Sequence, residues 1–226
     1  LIMHINLRSL KKEARIRSRQ NKSLRLSEVL DALSVERYKV RDYHQLLKSY
    51  EKQLNSHIKE KHDDLSWCEF CDFQFVRTIE ADIQEHSERH SLFDDAFELF
   101  GYLPMQYSKR EKIKKLGYRK LHSKKATEQE NGALLVLLAH YDRSLEHAIE
   151  MGRYHNHPNI SEYISVALNS AMFIPLPIRE NLKNMFESKE GELDGSYWPN
   201  SVFPGTKVVK NQKDVIRERL LKLVDF

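Results

Sequence analysis

Four side chains in the second quarter of the chain have the residue types and the spacing of a zinc site. Cys68 and Cys71, the two cysteines of the chain, are separated by two residues, and His86 and His90 are separated by three. Zinc prefers four soft or borderline ligands in a tetrahedron, which two thiolates and two imidazoles supply. A tight turn brings the first pair together, and one turn of helix aligns the second pair on one face. The sequence therefore predicts zinc as a cofactor held by these four residues.

The stretch 68–90 resembles a zinc finger of the two-cysteine, two-histidine class, which folds as a ββα module. Phe75 follows Cys71 in a C-x3-F pattern, and Ile83 stands in the family's leucine position. The resemblance implies that Phe75 and Ile83 form the small core of the module. Seven residues separate them where the family usually has five, so we expect a longer turn before the helix, with Thr78 as its N-cap.

The acidity of this region argues against base reading by the finger. In the family, bases are contacted from helix positions counted back from the first zinc-binding histidine, and these positions carry Ile79, Asp82 and Glu85 here. Residues 63–100 contain eleven acidic residues and two arginines. Because phosphate contacts supply most nucleic-acid affinity, we expect the finger to be structural or to bind a protein, with Asp82 and Glu85 as partner-binding residues.

Two basic segments flank the acidic one. Residues 1–62 have a net charge of +8, as do residues 101–125, whereas residues 126–226 carry −3. Lysines and arginines interleaved with aromatic rings are typical of nucleic-acid surfaces. The candidate nucleic-acid-binding residues are Arg8, Lys11, Lys12, Arg15, Arg19, Lys109, Lys112, Lys114, Lys115 and Lys120. The alternative is that these cations are solvated or pair with the acidic segment within the fold.

The hydrophobic periodicity and the scarcity of glycine and proline predict a mostly α fold. We expect helices at 7–20, 26–35, 40–61, 80–90, 94–100, 108–116, 127–152, 160–172, 177–188 and 214–224. Strand is expected only around 67–75, in one embedded ββα-like zinc finger. The predicted regions are a basic helical N-terminal region (1–62), an acidic zinc-finger module (63–100), a basic connector helix (101–125) and a C-terminal helical domain (126–226).

An aromatic loop follows the apolar helices of the C-terminal domain. It carries Tyr197, Trp198 and Phe203 beside turn-forming residues. Exposed aromatic side chains can anchor a protein partner. The alternative is that they fold back onto the core that the segments "GALLVLLAHY" and "ISEYISVALNSAMFIPLP" are expected to form. These three residues are therefore candidate partner-binding residues.

The motifs that would indicate an enzyme are weak. The sequence contains no P-loop, no G-x-G-x-x-G and no G-x-S-x-G. A second metal site would have to be drawn from His140, His147, Glu150, His155 and His157. Surface residues of an amphipathic helix explain that set better. Because four protein ligands close a zinc site to an activated water, we expect no enzymatic activity, and a metal-dependent hydrolase is the least favoured hypothesis.

Residues 7–48 resemble an N-terminal helical segment of bacterial plasmid and integrative-element proteins, which implies a mobile-element context and an association with DNA. The sequence has no apolar run long enough to cross a membrane and no secretory signal in its opening residues. Two cysteines at this spacing fit a reducing compartment. We therefore expect a cytoplasmic protein without a membrane partner.

These patterns favour a zinc-binding, non-enzymatic accessory or regulatory protein that contacts nucleic acid through its basic helices, DNA in preference to RNA. The alternative is an adaptor or inhibitor that binds a protein, or joins a larger complex, through the acidic finger and the aromatic loop. No small-molecule substrate is expected.

Overall fold

The computed structural model describes residues 4–62, 64–199 and 214–224. Within them the chain forms nine α-helices, a short 3-10 helix and one three-stranded antiparallel sheet. This confirms the prediction of a mostly α protein with an embedded ββα-like element. The chain divides into two compact units, Leu1–Glu98 (unit 1) and Leu99–Phe226 (unit 2), whereas the predicted division into four regions stays a prediction.

Unit 1 consists of three helices, a small sheet and most of a long fourth helix. Its elements are α1 (Leu7–Gln20), α2 (Leu26–Tyr38), α3 (Tyr43–Ser56), β1 (Ile58–Glu60), β2 (Leu65–Cys68), β3 (Phe73–Val76) and α4 (Glu80–Phe100). Asn6 caps α1 by accepting a hydrogen bond from the Ser9 backbone N–H, as an N-cap asparagine commonly does. The helical core of the unit contains Leu10, Ala14, Val29, Leu33 and Leu46.

The first strand was not predicted, because residues 58–60 fall within the expected helix 40–61. The helix ends at Ser56, and β1 pairs antiparallel with β2 so that Ile58 lies opposite Cys68. A 2.8 Å hydrogen bond from the Glu69 N–H to the His57 carbonyl continues this ladder. Strand pairing with β2 therefore overrides the local helical pattern in this segment.

The helices expected at 80–90 and 94–100 are one continuous helix, α4. The linking residues contain no glycine or proline, and Phe93 among them is buried at 2% exposure. The expected N-cap Thr78 lies two residues before the helix begins, because the Ile79 N–H instead closes a turn on the Val76 carbonyl.

Unit 2 is built around one long, buried helix. Its elements are α5 (Tyr107–Leu121), α6 (Ala126–Glu150), a 3-10 helix (Tyr154–Asn156), α7 (Ile160–Ala167), α8 (Leu176–Met185) and α9 (Val215–Leu221). Helices α5 and α6 approach closely at two glycines: a Cβ on Gly117 would lie 2.7 Å from the Gly132 carbonyl oxygen. The apolar stretch in α6 is buried as predicted, from Leu135 to Ala139.

A buried ion pair attaches the last helix to α6. The Arg217 guanidinium donates to both carboxylate oxygens of Asp142, at 3.3 and 2.9 Å, and to the Leu103 carbonyl at 3.1 Å. It also lies 4.4 Å from the ring centroid of Tyr102. None of the helices in the described part of the chain is long and apolar enough to cross a membrane.

Candidate metal centre and basic cleft

The four predicted ligands converge in unit 1. Cys68 ends β2, Cys71 lies in the turn that follows, and His86 and His90 lie one turn apart on α4. All four side chains are buried, with at most 2% exposure. One ligand atom from each residue can be chosen so that all four atoms lie within 4.8 Å of one another. The residues therefore form a buried Cys2His2 group that could bind a metal ion.

One ligand-to-ligand distance in this group matches that expected around a tetrahedral ion. Zinc–sulfur and zinc–nitrogen bond lengths imply ligand-to-ligand distances of about 3.3–3.8 Å, and the Sγ of Cys68 lies 3.5 Å from Nδ1 of His90. The Nε2 atom of His86 is buried without a hydrogen-bond partner. Buried ring nitrogens are normally satisfied, so this one is consistent with a metal ligand.

The turn that carries the cysteines is held by its neighbours. Asp72, directly after Cys71, has a positive φ of 53°, and its carboxylate accepts a 2.8 Å hydrogen bond from Nε1 of Trp67. The Nε atom of Arg89 donates to the Cys71 carbonyl at 2.8 Å. These contacts fix the thiols beside α4 without using the thiols themselves.

The expected small core of the finger is only half present. Phe75 is buried, and its ring stacks on His86 with the centroids 4.2 Å apart. Ile83, in contrast, is 45% exposed, so the prediction that it packs on Phe75 is wrong. The carboxylate of Asp82 accepts a hydrogen bond from the Val76 N–H at 2.9 Å. This contact fixes the start of α4 in an orientation in which Ile83 faces solvent.

The pKa values of the two cysteine thiols are shifted in opposite directions. Hydrogen bonding, above all from Cys71, holds the pKa of Cys68 well below its ordinary value. Burial, reinforced by the neighbouring Cys68 thiolate, raises the pKa of Cys71. The metal-free site therefore carries one thiolate, and a metal ion that uses both sulfurs must displace one proton.

Three polar side chains that were not predicted from the sequence lie around His90: Asp94, Tyr50 and His4. The Nε2 atom of His90 lies 3.5 Å from Oδ1 of Asp94, one turn further along α4. The Tyr50 hydroxyl donates to Oδ2 of Asp94 at 2.9 Å, and Nε2 of His4 lies 2.9 Å from Oδ1. A carboxylate four residues after a ligating histidine is the sequence signal that identifies Asp94.

The five N-terminal candidates for nucleic-acid binding line one cleft of about 660 Å³ in unit 1, here called the α1 cleft. Arg8, Lys11, Lys12, Arg15 and Arg19 come from α1, beside the apolar residues Leu7 and Ile16. The other lining residues are Tyr50, Ser87, Glu88 and Ser91. The structure thus brings together what the sequence had placed only on one side of a helix.

The cations of α1 divide into two groups. Arg17 forms ion pairs with Glu13 and Glu36, which satisfy it away from the cleft. Lys11, Lys12, Arg15 and Arg19 are exposed at the cleft. Arg8 also lines it but forms an ion pair with Asp95 at 3.2 Å. A patch of unneutralised positive charge in a concave surface attracts an anionic ligand.

The second set of candidates lies on α5 in unit 2 and is partly neutralised. Lys114 pairs with Glu111, and Lys120 pairs with Glu128 at 2.8 Å. Lys109, Lys112 and Lys115 are exposed. This set is therefore weaker as a phosphate-binding surface than the α1 cleft.

The candidate partner-binding residues are distributed over both units. Glu85 is exposed on α4, while Asp82 is engaged at the start of that helix. In unit 2, the Tyr197 hydroxyl accepts a 2.9 Å hydrogen bond from Nε of Arg143. The backbone N–H of Trp198 donates to the Ser144 hydroxyl at 2.9 Å, so both aromatic residues fold back onto their unit. Phe203 lies outside the described residues.

The histidines of unit 2 do not assemble a second metal site among the described residues. His157 is buried, with Nε2 2.9 Å from the Ser144 hydroxyl. His147 packs on the ring of Tyr197, and His140 packs on Phe173. Oε2 of Glu150 lies 3.9 Å from Nδ1 of His147, but among the described residues neither this pair nor His155 belongs to a group of three or more potential ligands.

Comparisons of the chain with protein-family models, with curated proteins and with solved structures gave no match.

Proposed function

We propose that the protein is a non-enzymatic nucleic-acid-binding accessory or regulatory factor, stabilised by zinc, that contacts the phosphate backbone at the α1 cleft. The observation that carries the proposal is the convergence of five cationic side chains, Arg8, Lys11, Lys12, Arg15 and Arg19, in one concave surface. Lysine and arginine contacts to phosphates supply most nucleic-acid affinity. The resemblance of residues 7–48 to plasmid and integrative-element proteins favours DNA over RNA and a bacterial context.

The shape and the lining of the cleft support this assignment. Leu7, Ile16 and Tyr50 provide apolar and aromatic surface between the charged side chains, and such surface packs against sugars and bases. Ser87, on the wall formed by α4, adds a neutral hydroxyl group that can donate to a phosphate oxygen, whereas the Ser91 hydroxyl donates to the Glu88 carbonyl at 2.8 Å. Glu88 is the acidic residue in this lining and repels a polyanion.

The metal centre has a structural role in this proposal. Zinc is the ion that two thiolates and two imidazoles suit best. All four coordination positions are filled by the protein, which leaves no position for an activated water. Because His86 and His90 alternate along α4 with the cleft residues Ser87, Glu88 and Ser91, the ion holds one wall of the cleft in place.

A charge-removal experiment tests the site. Replacing Lys11, Lys12, Arg15 and Arg19 with Gln should weaken binding of a fluorescent DNA oligonucleotide at least tenfold, measured by anisotropy at low salt, because four phosphate contacts are lost. The matched control is Lys48→Gln with Lys52→Gln, which removes exposed charge from α3 outside the cleft. Replacing Lys109, Lys112, Lys114 and Lys115 should have the smaller effect.

Other outcomes contradict the proposal in distinct ways. If the α5 variant loses binding and the α1 variant keeps it, the interface lies in unit 2. If the wild-type protein binds neither DNA nor RNA at low salt, the adaptor hypothesis gains, and Asp82 with Glu85 is the first place to map a basic protein partner.

A further inference from the structure

The carboxylate of Asp94 is buried at 1% exposure, and no arginine or lysine pairs with it in the described part of the chain. Burying a charged group without compensation is strongly unfavourable, because the ion loses its hydration. The polar groups around it are the Tyr50 hydroxyl and the rings of His4 and His90. The burial of the Asp94 carboxylate among these groups therefore requires an explanation.

Three buried atoms in this group lack aligned hydrogen bonds: Nε2 of His4, Nε2 of His90 and Oδ1 of Asp94. Nε2 of His4 lies 2.9 Å and Nε2 of His90 lies 3.5 Å from Oδ1 of Asp94. On the opposite side of the imidazole, Nδ1 of His90 lies 3.5 Å from Sγ of Cys68. The ring therefore presents Nδ1 to the cysteines and Nε2 to the carboxylate. A neutral imidazole that gives its Nδ1 lone pair to a metal ion carries its proton on Nε2.

We propose that Asp94 is a positioning residue of the metal centre, whose carboxylate accepts a hydrogen bond from the Nε2–H of His90 and so presents Nδ1 as the ligand atom. A carboxylate in this position fixes the tautomer and the ring orientation of a ligating histidine and increases its basicity. Asp94 is itself held by the 2.9 Å hydrogen bond from Tyr50. The chain His90–Asp94–Tyr50 thus connects the metal centre on α4 to α3.

This connection reaches the α1 cleft, since Tyr50 is one of its lining residues. Metal binding should therefore order Tyr50 as well as the α4 wall. An effect of this ordering on nucleic-acid binding rests on the proposed function. The role of Asp94 in metal binding is independent of that function.

Nuclear magnetic resonance of the zinc-loaded, 15N-labelled wild-type protein tests the tautomer directly. Long-range nitrogen–proton correlation spectra distinguish a metal-bound ring nitrogen from a protonated one. The expected result is a protonated Nε2 and a zinc-bound Nδ1 for His90. Zinc bound through Nε2 of His90 would overturn the proposal, whatever the protein does with nucleic acid.

Metal affinity provides the second test, by competition of the protein with a chromophoric chelator for zinc. Asp94→Ala should weaken zinc binding about 10–100-fold, which is the usual effect of losing an outer-shell partner. Asp94→Asn keeps an oxygen that can accept a hydrogen bond from the Nε2–H of His90. Its zinc affinity should therefore be closer to that of the wild type than the affinity of Asp94→Ala. Glu85→Ala, which removes an exposed acid from the same helix, is the matched control and should leave the affinity unchanged.

A milder variant covers the case in which Asp94→Ala does not fold. Tyr50→Phe removes only the hydroxyl that holds Asp94 and should weaken zinc binding about two- to tenfold, as expected for one hydrogen bond. Circular dichroism establishes whether each variant is folded. Wild-type affinity in both Asp94→Ala and Tyr50→Phe would show that Asp94 does not position His90.

Discussion

At the scale of single residues, buried histidines have different roles in the two units. His86 keeps a buried Nε2 without an aligned hydrogen bond, and Nδ1 of His90 lies 3.5 Å from Sγ of Cys68, as expected of residues that assemble around an ion. His157 instead uses both ring nitrogens: Nδ1 lies 3.1 Å from the Pro158 carbonyl and Nε2 2.9 Å from the Ser144 hydroxyl. Composition alone does not separate these roles, because all three imidazoles are buried and the neighbours of each ring nitrogen decide them.

The buried, neutral state of His157 predicts acid sensitivity of unit 2. Burial lowers the pKa of His157 from 6.5 to about 3. Between these values the unfolded chain binds a proton that the folded chain does not, so the free energy of unfolding falls as the pH drops below about 6.5. From pH 7 to pH 5 this group should remove about 2 kcal/mol, measured from the most protected amide hydrogens of α6.

His157→Gln is the comparison variant for this prediction. It has no proton to take up, so its loss of stability between pH 7 and pH 5 should be smaller than that of the wild type by about the same 2 kcal/mol. An equal loss in both proteins would assign the acid sensitivity to other groups.

At the scale of elements, α4 is central to both sites. It contains two of the candidate metal ligands, the positioning residue Asp94 and one wall of the α1 cleft. The ligand spacing was readable from the sequence, since C-x2-C and H-x3-H are local patterns. The continuity of α4, the strand β1 and the exposure of Ile83 were not, because each depends on pairing or packing between segments distant in the chain. The cleft itself was visible only as five cations along one helix.

Glu88 provides a test at this scale. Glu88→Gln removes a negative charge from the cleft and should strengthen oligonucleotide binding about 1.4- to 5-fold, since a solvent-exposed charge contact contributes ~0.2–1 kcal/mol. Glu85→Gln, on the same helix but outside the cleft lining, should change the affinity less. Equal effects of the two substitutions in anisotropy titrations would mean that only the general charge of α4 matters.

At the scale of the whole molecule, the four candidate metal ligands belong to unit 1, and other contacts stabilise unit 2. These contacts are the apolar face of α6 and the buried Asp142–Arg217 ion pair. The small sheet of unit 1, in contrast, presents few buried apolar side chains besides Phe75. Small metal modules draw much of their folding free energy from the ion.

Removal of one ligand should therefore affect the two units differently. Cys68→Ser should abolish stoichiometric zinc binding and unfold residues 65–92, while the helices α6, α7, α8 and α9 of unit 2 stay protected in hydrogen exchange followed by mass spectrometry. Chelation of zinc from the wild-type protein should reproduce the pattern. A purified wild-type protein that contains no zinc under reducing conditions would remove the basis of this prediction.

The salt dependence of binding tests the central claim most directly. If four to five cations of the α1 cleft contact phosphates, the logarithm of the association constant for duplex DNA should fall with the logarithm of the salt concentration with a slope of about −3.6 to −4.5. Replacing Lys11, Lys12, Arg15 and Arg19 with Gln should reduce the steepness of that slope by about 3.6, because each lost contact removes ~0.9. An unchanged slope in this variant would contradict the account, because the phosphates would then be bound elsewhere on the protein.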